Sequence, residues 1–220
     1  MPTLTSSSLE IPKQSKNKQL NYKQDKFIFS NDKFTCIKGT WGCGKSLAGL
    51  YAANRECEEY PGNLYLVIRK EWVDLRDSTL HDWIKEISRP IDGEKNVKYK
   101  NGSVLMFRHG EDLNSLKNVN LGGCLMIQAE EMCEEDFWFL NGRLRRQEGS
   151  RQLRLECNYD GHNWIYRLFN EQKIGTLITT NTFDNAVNLP ADYIPTLEKL
   201  PKKLKERHLY GSDADMEGVG

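Results

Sequence analysis

The chain has 220 residues, and its 31 Lys and Arg residues balance 31 Asp and Glu residues, so the formal net charge is zero. A neutral chain has no global field that favours nucleic acid, so any contact with DNA must come from a local patch. No apolar run approaches the roughly 20 residues of a membrane span, and no secretory signal opens the sequence.

The six cysteines form no C-x-x-C pair, and the four histidines are isolated. Several of the cysteines lie in apolar runs, which is typical of reduced, buried thiols in a cytosolic protein. The sequence therefore predicts neither a disulfide framework nor a structural metal site.

Composition divides the chain into three parts. Residues 1–20 are rich in Ser, Lys and Gln and have few apolar anchors, which predicts a flexible arm. Residues 21–212 carry the periodic patterns of one folded domain, and residues 213–220 form a polar tail. Ordered structure is expected to begin near Tyr22.

Short apolar runs alternate with helical patterns along the domain. Strands are predicted at residues 34–38, 64–68, 124–127, 153–157 and 176–180, with a hairpin over 96–108. Helices are predicted at residues 47–58, 74–87, 134–147, 164–169 and 190–200, and residues 110–120 form a polar loop. Connections too long for hairpins imply a mainly parallel sheet flanked by helices, an α/β fold. Ligands then bind at the carboxyl ends of the strands.

A glycine-rich segment joins the first strand to the first long helix. It fits G-x-x-x-x-G-K-[ST], the phosphate-binding loop (P-loop) of nucleoside triphosphatases. Its residues are Gly39, Thr40, Trp41, Gly42, Cys43, Gly44, Lys45 and Ser46. Backbone amides of such a loop wrap a phosphate, the lysine reaches the β- and γ-phosphates, and the hydroxyl binds Mg²⁺. The sequence therefore predicts ATP and Mg²⁺ as ligands.

The second half of a nucleotide site requires carboxylates that hold the Mg²⁺ shell and orient water. Such acids are expected after an apolar strand next to the P-loop strand. Residues 124–127 are followed by Gln-Ala-Glu130-Glu131, so we expect Glu130 and Glu131 to act in catalysis and Glu130 to bind the metal. The alternative is that both are acidic residues in the first turn of an exposed helix. Upstream, Gln24 and Phe27 are candidates for contacting an adenine.

Together these segments resemble the ATPase domain of the large terminase subunit, the motor that packages DNA in tailed bacteriophages. The resemblance spans about residues 22–212 and rests on segments in the same order. They are GTWGCGKS, VIRKEWVDLRDSTLHDWI, NGSVLMFR, LKNVNLGG, QAEEMCEEDFWFLNGRLRR, NYDGHNWIYRLFN and TFDNAVNLPADYI.

The resemblance implies an additional-strand P-loop ATPase that forms a homo-oligomeric ring on the portal protein and translocates double-stranded DNA. It also implies a small terminase subunit as partner, no membrane, and a location in the host cytoplasm, on the procapsid but not in the mature virion. Gln24 matches the adenine-recognition position, and the strand ending at Asn158 matches a motif that couples hydrolysis to motion. Arg143 and Arg145 are candidate arginine fingers that act on a neighbouring subunit; the alternative is cations at a helix C-terminus.

The sequence departs from the family pattern at two positions. Trp41 replaces an Arg that many relatives carry in the P-loop, and Ile127 replaces an acid directly before Gln-Ala-Glu-Glu. These departures favour, as an alternative, a nucleotide-binding assembly module with impaired hydrolysis. The family usually adds a C-terminal nuclease domain, and residues 1–220 contain no strand-borne acidic cluster for one.

Overall fold

The computed structural model of the chain describes residues 18–214. Most of the arm predicted at residues 1–20 and most of the tail at 213–220 therefore lie outside the described residues. No helix within the described part is long and apolar enough to cross a membrane.

Seven strands form a single sheet in the order β3-β4-β2-β5-β6-β1-β7. They are β1 (Phe34–Gly39), β2 (Leu64–Arg69), β3 (Asn96–Lys98), β4 (Val104–His109), β5 (Gly123–Met126), β6 (Gln152–Asn158) and β7 (Thr176–Thr180). Every neighbouring pair is parallel except β3 and β4, which form the predicted hairpin. The predicted mainly parallel sheet is therefore confirmed.

Helical segments cover both faces of the sheet. The α-helices are α1 (Tyr22–Ile28), α2 (Lys45–Glu59), α3 (Trp72–Asp74), α4 (Glu134–Arg143), α5 (Trp164–Tyr166), α6 (Tyr193–Leu197) and α7 (Lys202–Lys205). The 3₁₀ segments are Gly110–Asn118, Ala129–Glu131 and Thr182–Asn188, and the π-helical segments are Leu75–Leu80, Trp83–Ile87, Arg167–Glu171 and Glu206–Tyr210.

Two apolar cores lie on opposite faces of the sheet. One core joins α1, α2 and the segments following α3 to the strands, with Phe27, Leu50 and Trp83 among its buried side chains. The other joins α4 and α5 to the strands through residues such as Phe137 and Ile165. Because side chains alternate along a strand, β6 sends Leu153, Leu155 and Cys157 into the second core and its other residues toward α2.

Several predicted boundaries are wrong. Residues 110–120, predicted as a loop, form a 3₁₀ helix over Gly110–Asn118, in which the Asp112 carboxylate accepts a hydrogen bond from the His109 amide. The helix predicted over 134–147 ends at Arg143, because Leu144 pairs with Leu121 as an isolated parallel bridge. Of the helix predicted over 190–200, only Tyr193–Leu197 is α-helical.

The order of the strands differs from the prediction in one functional respect. The acid-bearing strand was expected next to the P-loop strand, but β6 lies between β1 and β5. The inserted strand is the feature of the predicted additional-strand fold. It makes β6, rather than β5, the direct neighbour of β1 on that side.

Candidate nucleotide site

The P-loop leaves the carboxyl end of β1 and leads directly into α2. Gly39 lies opposite Asn158 of β6 and Thr180 of β7, so the loop begins between two strand ends. The 15-residue helix α2 starts at Lys45, and its free first-turn amides and dipole favour an anion at this point. The setting predicted from the sequence, a strand, a glycine loop and a helix, is present.

Two glycines are required by the loop's backbone. Gly42 and Gly44 have φ of 70° and 81°, a region that residues with a Cβ rarely adopt. A Cβ on Gly44 would also lie 2.3 Å from the Gln24 amide nitrogen. The glycine pattern therefore reflects both the turn of the chain and close packing against α1.

Side chains from other elements hold the loop by its carbonyl oxygens. The Gln24 amide donates to the Gly44 carbonyl at 2.9 Å, the Thr182 hydroxyl to the Trp41 carbonyl at 2.8 Å, and the Asn185 amide to the Gly42 carbonyl at 2.7 Å. Thr40 is buried and shares a hydrogen bond with the Thr182 hydroxyl. The loop conformation is therefore fixed by residues outside the motif.

Lys45 is buried in the loop, and its Nζ donates to the Thr40 carbonyl at 3.4 Å. Burial lowers the pKa of this amine, but the nearby Cys43, Glu156 and Glu130 more than offset burial and raise the pKa overall. Lys45 is therefore a positive charge poised beside the loop. Cys43 is itself buried, and desolvation raises the pKa of its thiol, so it acts as packing.

Ser46 faces a carboxylate that sequence reasoning missed. Its hydroxyl donates to Glu156 Oε2 at 3.1 Å. Glu156 Oε1 accepts a hydrogen bond from the backbone amide of Gln128 at 2.9 Å. Glu156 lies on β6 and is fully buried. A charged residue in the middle of a central strand was the available signal, because such residues are almost never buried without a partner or a function.

These groups line one cleft at the carboxyl edge of the sheet. Its walls include Lys45, Ser46, Gln128, Glu156 and Asn158, and its volume is about 230 Å³. The site is therefore a polar cleft with the P-loop on one side and the ends of β5 and β6 on the other.

Neither of the two predicted carboxylates is hydrogen-bonded to Ser46 within residues 18–214. Glu130 is largely buried, and one of its oxygens accepts a hydrogen bond from the Asn158 amide at 2.6 Å. Desolvation, reinforced by Glu156, raises the pKa of Glu130 to about 7. Glu131 is exposed, and burial of part of its surface raises its pKa while Arg69 acts in the opposite direction. The acid in contact with Ser46 is thus Glu156, and catalytic roles for Glu130 and Glu131 stay predictions.

Gln24 and Phe27 occupy different surroundings from those predicted. Gln24 is 1% exposed. Its side-chain oxygen accepts a hydrogen bond from the backbone amide of Asn21, in a capping box at the start of α1. Its side-chain nitrogen donates to the Gly44 carbonyl of the loop. Phe27 is fully buried in the core. Each polar atom of the Gln24 side chain makes one hydrogen bond within the protein, and the adenine role stays a prediction.

Trp41 lies at the mouth of the cleft and is 41% exposed. Its indole stacks on the His208 imidazole with ring centroids 3.9 Å apart and planes inclined by 13°, and its amide donates to the His208 carbonyl at 3.1 Å. The residue that replaces the family's loop arginine therefore anchors the segment Glu206–Tyr210 to the loop. The first residue of the predicted tail is anchored too, because the Asp213 carboxylate pairs with the buried Lys38 at 3.1 Å.

The candidate arginine fingers lie at the other edge of the sheet. The Arg143 guanidinium binds the Lys117 carbonyl and packs on Phe139, and Arg145 binds the Asn120 side chain. Arg143 ends α4 and Arg145 follows it, near the residues that precede the amino end of β5. Action on a neighbouring subunit stays a prediction, and so does the alternative that these residues are cations at the C-terminus of α4.

The donor set suits a magnesium ion. Mg²⁺ prefers oxygen ligands, usually one or two from the protein with phosphates and water completing the shell. Ser46 and Glu156 supply such oxygens, while Gln128 Oε1 and Glu130 Oε2 are buried and accept no hydrogen bond within residues 18–214. The residues of the cleft therefore fit Mg²⁺ held beside a triphosphate.

Comparisons with known proteins agree with this fold. No curated protein matches the chain. Among solved structures, the large terminase of a thermophilic bacteriophage superposes with a TM-score of 0.77 at 13% identity, over 92% of this chain and 55% of that one. The present chain thus spans about half the length of that terminase.

Two further structures share the fold. The ATPase domain of the large terminase of Thermus phage P74-26 matches with a TM-score of 0.66 at 13% identity, over 89% of this chain and 94% of that domain. The N-terminal domain of the DNA packaging ATPase from bacteriophage phi29 matches with a TM-score of 0.54 at 13% identity, over 71% and 88%. At this identity the likeness establishes the P-loop fold.

The sequence itself carries the family assignment. The profile of the family described as phage terminase large subunit matches residues 31–211, which includes the P-loop, β6 and the segment that packs on Trp41. The chain belongs to the phage terminase large subunit family.

Proposed function

We propose that this chain is the ATPase domain of a DNA-packaging motor, which hydrolyses ATP to translocate double-stranded DNA into a procapsid. The observation that carries the proposal is the P-loop itself, in which a buried Lys45 and the Ser46 hydroxyl face a carboxylate across one cleft. Family membership supports it, and the large terminase of the thermophilic bacteriophage has been solved in complex with ADP and with ATP-gamma-S.

Each group in the cleft has a distinct task in this proposal. The amides of residues 42–46 bind the β-phosphate, and Lys45 exchanges the Thr40 carbonyl for phosphate oxygens. Ser46 is the loop residue that would hold Mg²⁺, and the bound ion would supply positive charge beside the phosphate oxygens. Glu130, with a pKa near 7 and a hydrogen bond from Asn158, is suited to take a proton from the attacking water.

The motor role brings further proposed partners. A ring of this chain on the portal protein, with the small terminase subunit delivering DNA, would act in the host cytoplasm and leave before the virion matures. Arg143 and Arg145 lie away from their own cleft, which suits action on the phosphates of the next subunit in a ring.

A second candidate function is a nucleotide-binding assembly module with impaired hydrolysis. Ile127 favours it, since this apolar residue follows β5 where many relatives carry an acid, and Glu131 is exposed to solvent. Such a module would bind ATP tightly and turn it over slowly.

The test is ATP hydrolysis by the full chain, with and without double-stranded DNA. We expect Lys45→Ala to lower turnover by about 10²- to 10³-fold, the usual loss when one stabilising charge is removed from an active site. Lys100→Ala is the matched control, because this exposed lysine lies by the β3–β4 turn at the opposite edge of the sheet. Equal turnover in Lys45→Ala and the parent would refute the ATPase. Tight ATP binding without DNA-stimulated turnover in the parent would favour the assembly module.

A further inference from the structure

We propose that Glu156, on β6, is the carboxylate that holds the Mg²⁺ shell together with Ser46, in place of an acid at the end of β5. The inference rests on the proposed function, since it assigns the metal carboxylate of the same nucleotide site.

The first support is the contact with the P-loop. Glu156 Oε2 accepts the Ser46 hydroxyl at 3.1 Å, so the two oxygen donors that a metal would need are already adjacent. The backbone amide of Gln128 donates to the other carboxylate oxygen at 2.9 Å, and this bond fixes the orientation of the Glu156 side chain. Each carboxylate oxygen has a second lone pair, so these bonds leave capacity for a cation or its water shell.

The second support is the position of the strand. β6 pairs directly with β1, and Glu156 lies level with Ile37, two residues before the loop begins at Gly39. Alternation turns Glu156 to the face that α2 covers, and Ser46 stands in the first turn of α2. The inserted strand therefore delivers a side chain to the place from which a metal beside Ser46 can be held.

The third support is the electrostatics of burial. A carboxylate removed from water is costly unless it is paired. Glu56, a buried glutamate on α2, pairs with Arg154 of β6 at 3.0 Å. Glu156 forms no ion pair within residues 18–214, and its direct partners there are a hydroxyl and a backbone amide. The buried Lys45 is near enough for the two charges to interact but makes no ion pair with this carboxylate. A divalent cation beside Ser46 would place a positive charge in direct contact with Glu156.

The competing carboxylates are worse placed. Ile127 is 2% exposed and belongs to the apolar core, so the end of β5 offers no oxygen from its side chain. Glu130 binds Asn158 instead of Ser46, and Glu131 is exposed. Within the described residues, Glu156 is the acid that contacts the Ser46 hydroxyl.

The experiment measures binding of ATP-gamma-S to the full chain by calorimetry, in Mg²⁺ and in EDTA. In the parent we expect Mg²⁺ to tighten binding. In Glu156→Gln we expect the affinity in EDTA to be retained, while the ratio of the affinity in Mg²⁺ to the affinity in EDTA falls by about 10-fold or more. The reason is that loss of a group that supports a metal costs about 10- to 100-fold in metal affinity. Glu111→Gln, which alters an exposed glutamate that does not line the cleft, should keep the parent ratio.

An unchanged ratio in Glu156→Gln would overturn the inference, whether or not turnover is lost. A ratio that collapses in Glu130→Gln but persists in Glu156→Gln would overturn it in favour of Glu130. If the parent binds no ATP-gamma-S in either condition, or Lys45→Ala binds as tightly as the parent, the proposed function fails first.

A crystal structure of the parent with Mg²⁺ and ATP-gamma-S gives an independent test that does not depend on a variant's folding. We expect a Glu156 oxygen to contact the metal directly or through one water. A Glu156 side chain turned away from the metal would overturn the inference.

Discussion

The carboxyl ends of β5 and β6 are neighbours in the sheet but differ in chemistry. β5 is buried throughout and continues into the apolar Ile127, and its nearest acid, Glu130, bonds to an amide on the next strand. β6 carries Arg154 and Glu156 inside the protein, and Glu156 touches the P-loop. The strand expected to bear the metal carboxylate is apolar, and the strand inserted beside the P-loop bears a buried carboxylate.

The difference teaches that a site at the edge of a parallel sheet can keep its chemistry while the contributing strand changes. All carboxyl ends of parallel strands meet at one edge, so a side chain on either strand can face the same cleft. What matters is which face of the strand the residue occupies and which helix covers that face.

The largest expected effect is a loss of stability that distinguishes the role of Arg154 from the role of Glu156, the two charged residues of β6. Arg154 pairs with Glu56 in full burial and also donates to the Ser30 carbonyl, so its role is structural. Arg154→Leu should lower the free energy of unfolding by about 3–5 kcal/mol, because it leaves Glu56 buried and unpaired. Urea unfolding measures the loss, and Arg154→Leu with Glu56→Leu should recover part of it.

If the Mg²⁺ dependence of nucleotide binding were lost in Arg154→Leu while the chain stayed folded, the division of β6 into a structural and a functional charge would be wrong.

The next effect concerns Glu130, on the β5 side. Its pKa is raised from 4.5 to about 7, chiefly by desolvation, so the folded state binds more protons than the unfolded state between these values. Stability should therefore fall as pH rises through this window, by about 3 kcal/mol from this group. Urea unfolding at several pH values should show that decline in the parent and a flatter profile in Glu130→Gln. Parallel profiles would contradict the raised pKa.

The smallest expected effect tests whether the end of β5 contributes only packing. Ile127→Val removes one buried methylene and should cost about 0.5–1.5 kcal/mol of unfolding free energy. We expect the affinity for ATP-gamma-S in Mg²⁺ to stay at the parent value. A marked drop in that affinity, with normal stability, would show that Ile127 shapes the metal site itself.

The sequence predicted what is local. The P-loop is a pattern of eight consecutive residues whose glycines are needed for the turn itself, and its strand and helix follow from short-range periodicity. The individual strands and the hairpin were also predictable, because the pattern of each lies within a single segment. The predicted boundaries were wrong where a contact with a distant residue sets the end of an element. For example, α4 ends where Leu144 pairs with Leu121.

Glu156 escaped prediction because its role depends on strand order. The alternation of polar and apolar residues along β6 predicts a strand, but not that β6 enters between β5 and β1 or that α2 covers its polar face. For the same reason the sequence could not tell that Arg143 lies at the far edge of the sheet. The contacts of Gln24 with Gly44 and Asn21 also join residues whose proximity no local pattern shows, and its predicted adenine role stays a prediction.

The external contacts of the P-loop set the order in which the protein can be completed. The Thr182 and Asn185 side chains donate hydrogen bonds to loop carbonyls that lie 141 and 143 residues earlier in the chain, respectively. His208 stacks on Trp41 of the same loop. A ribosome therefore releases the loop long before the residues that shape it, and contacts of such long sequence separation form slowly. We expect nascent chains to acquire nucleotide affinity only after nearly the whole domain has emerged, which would keep unfinished motors from consuming ATP.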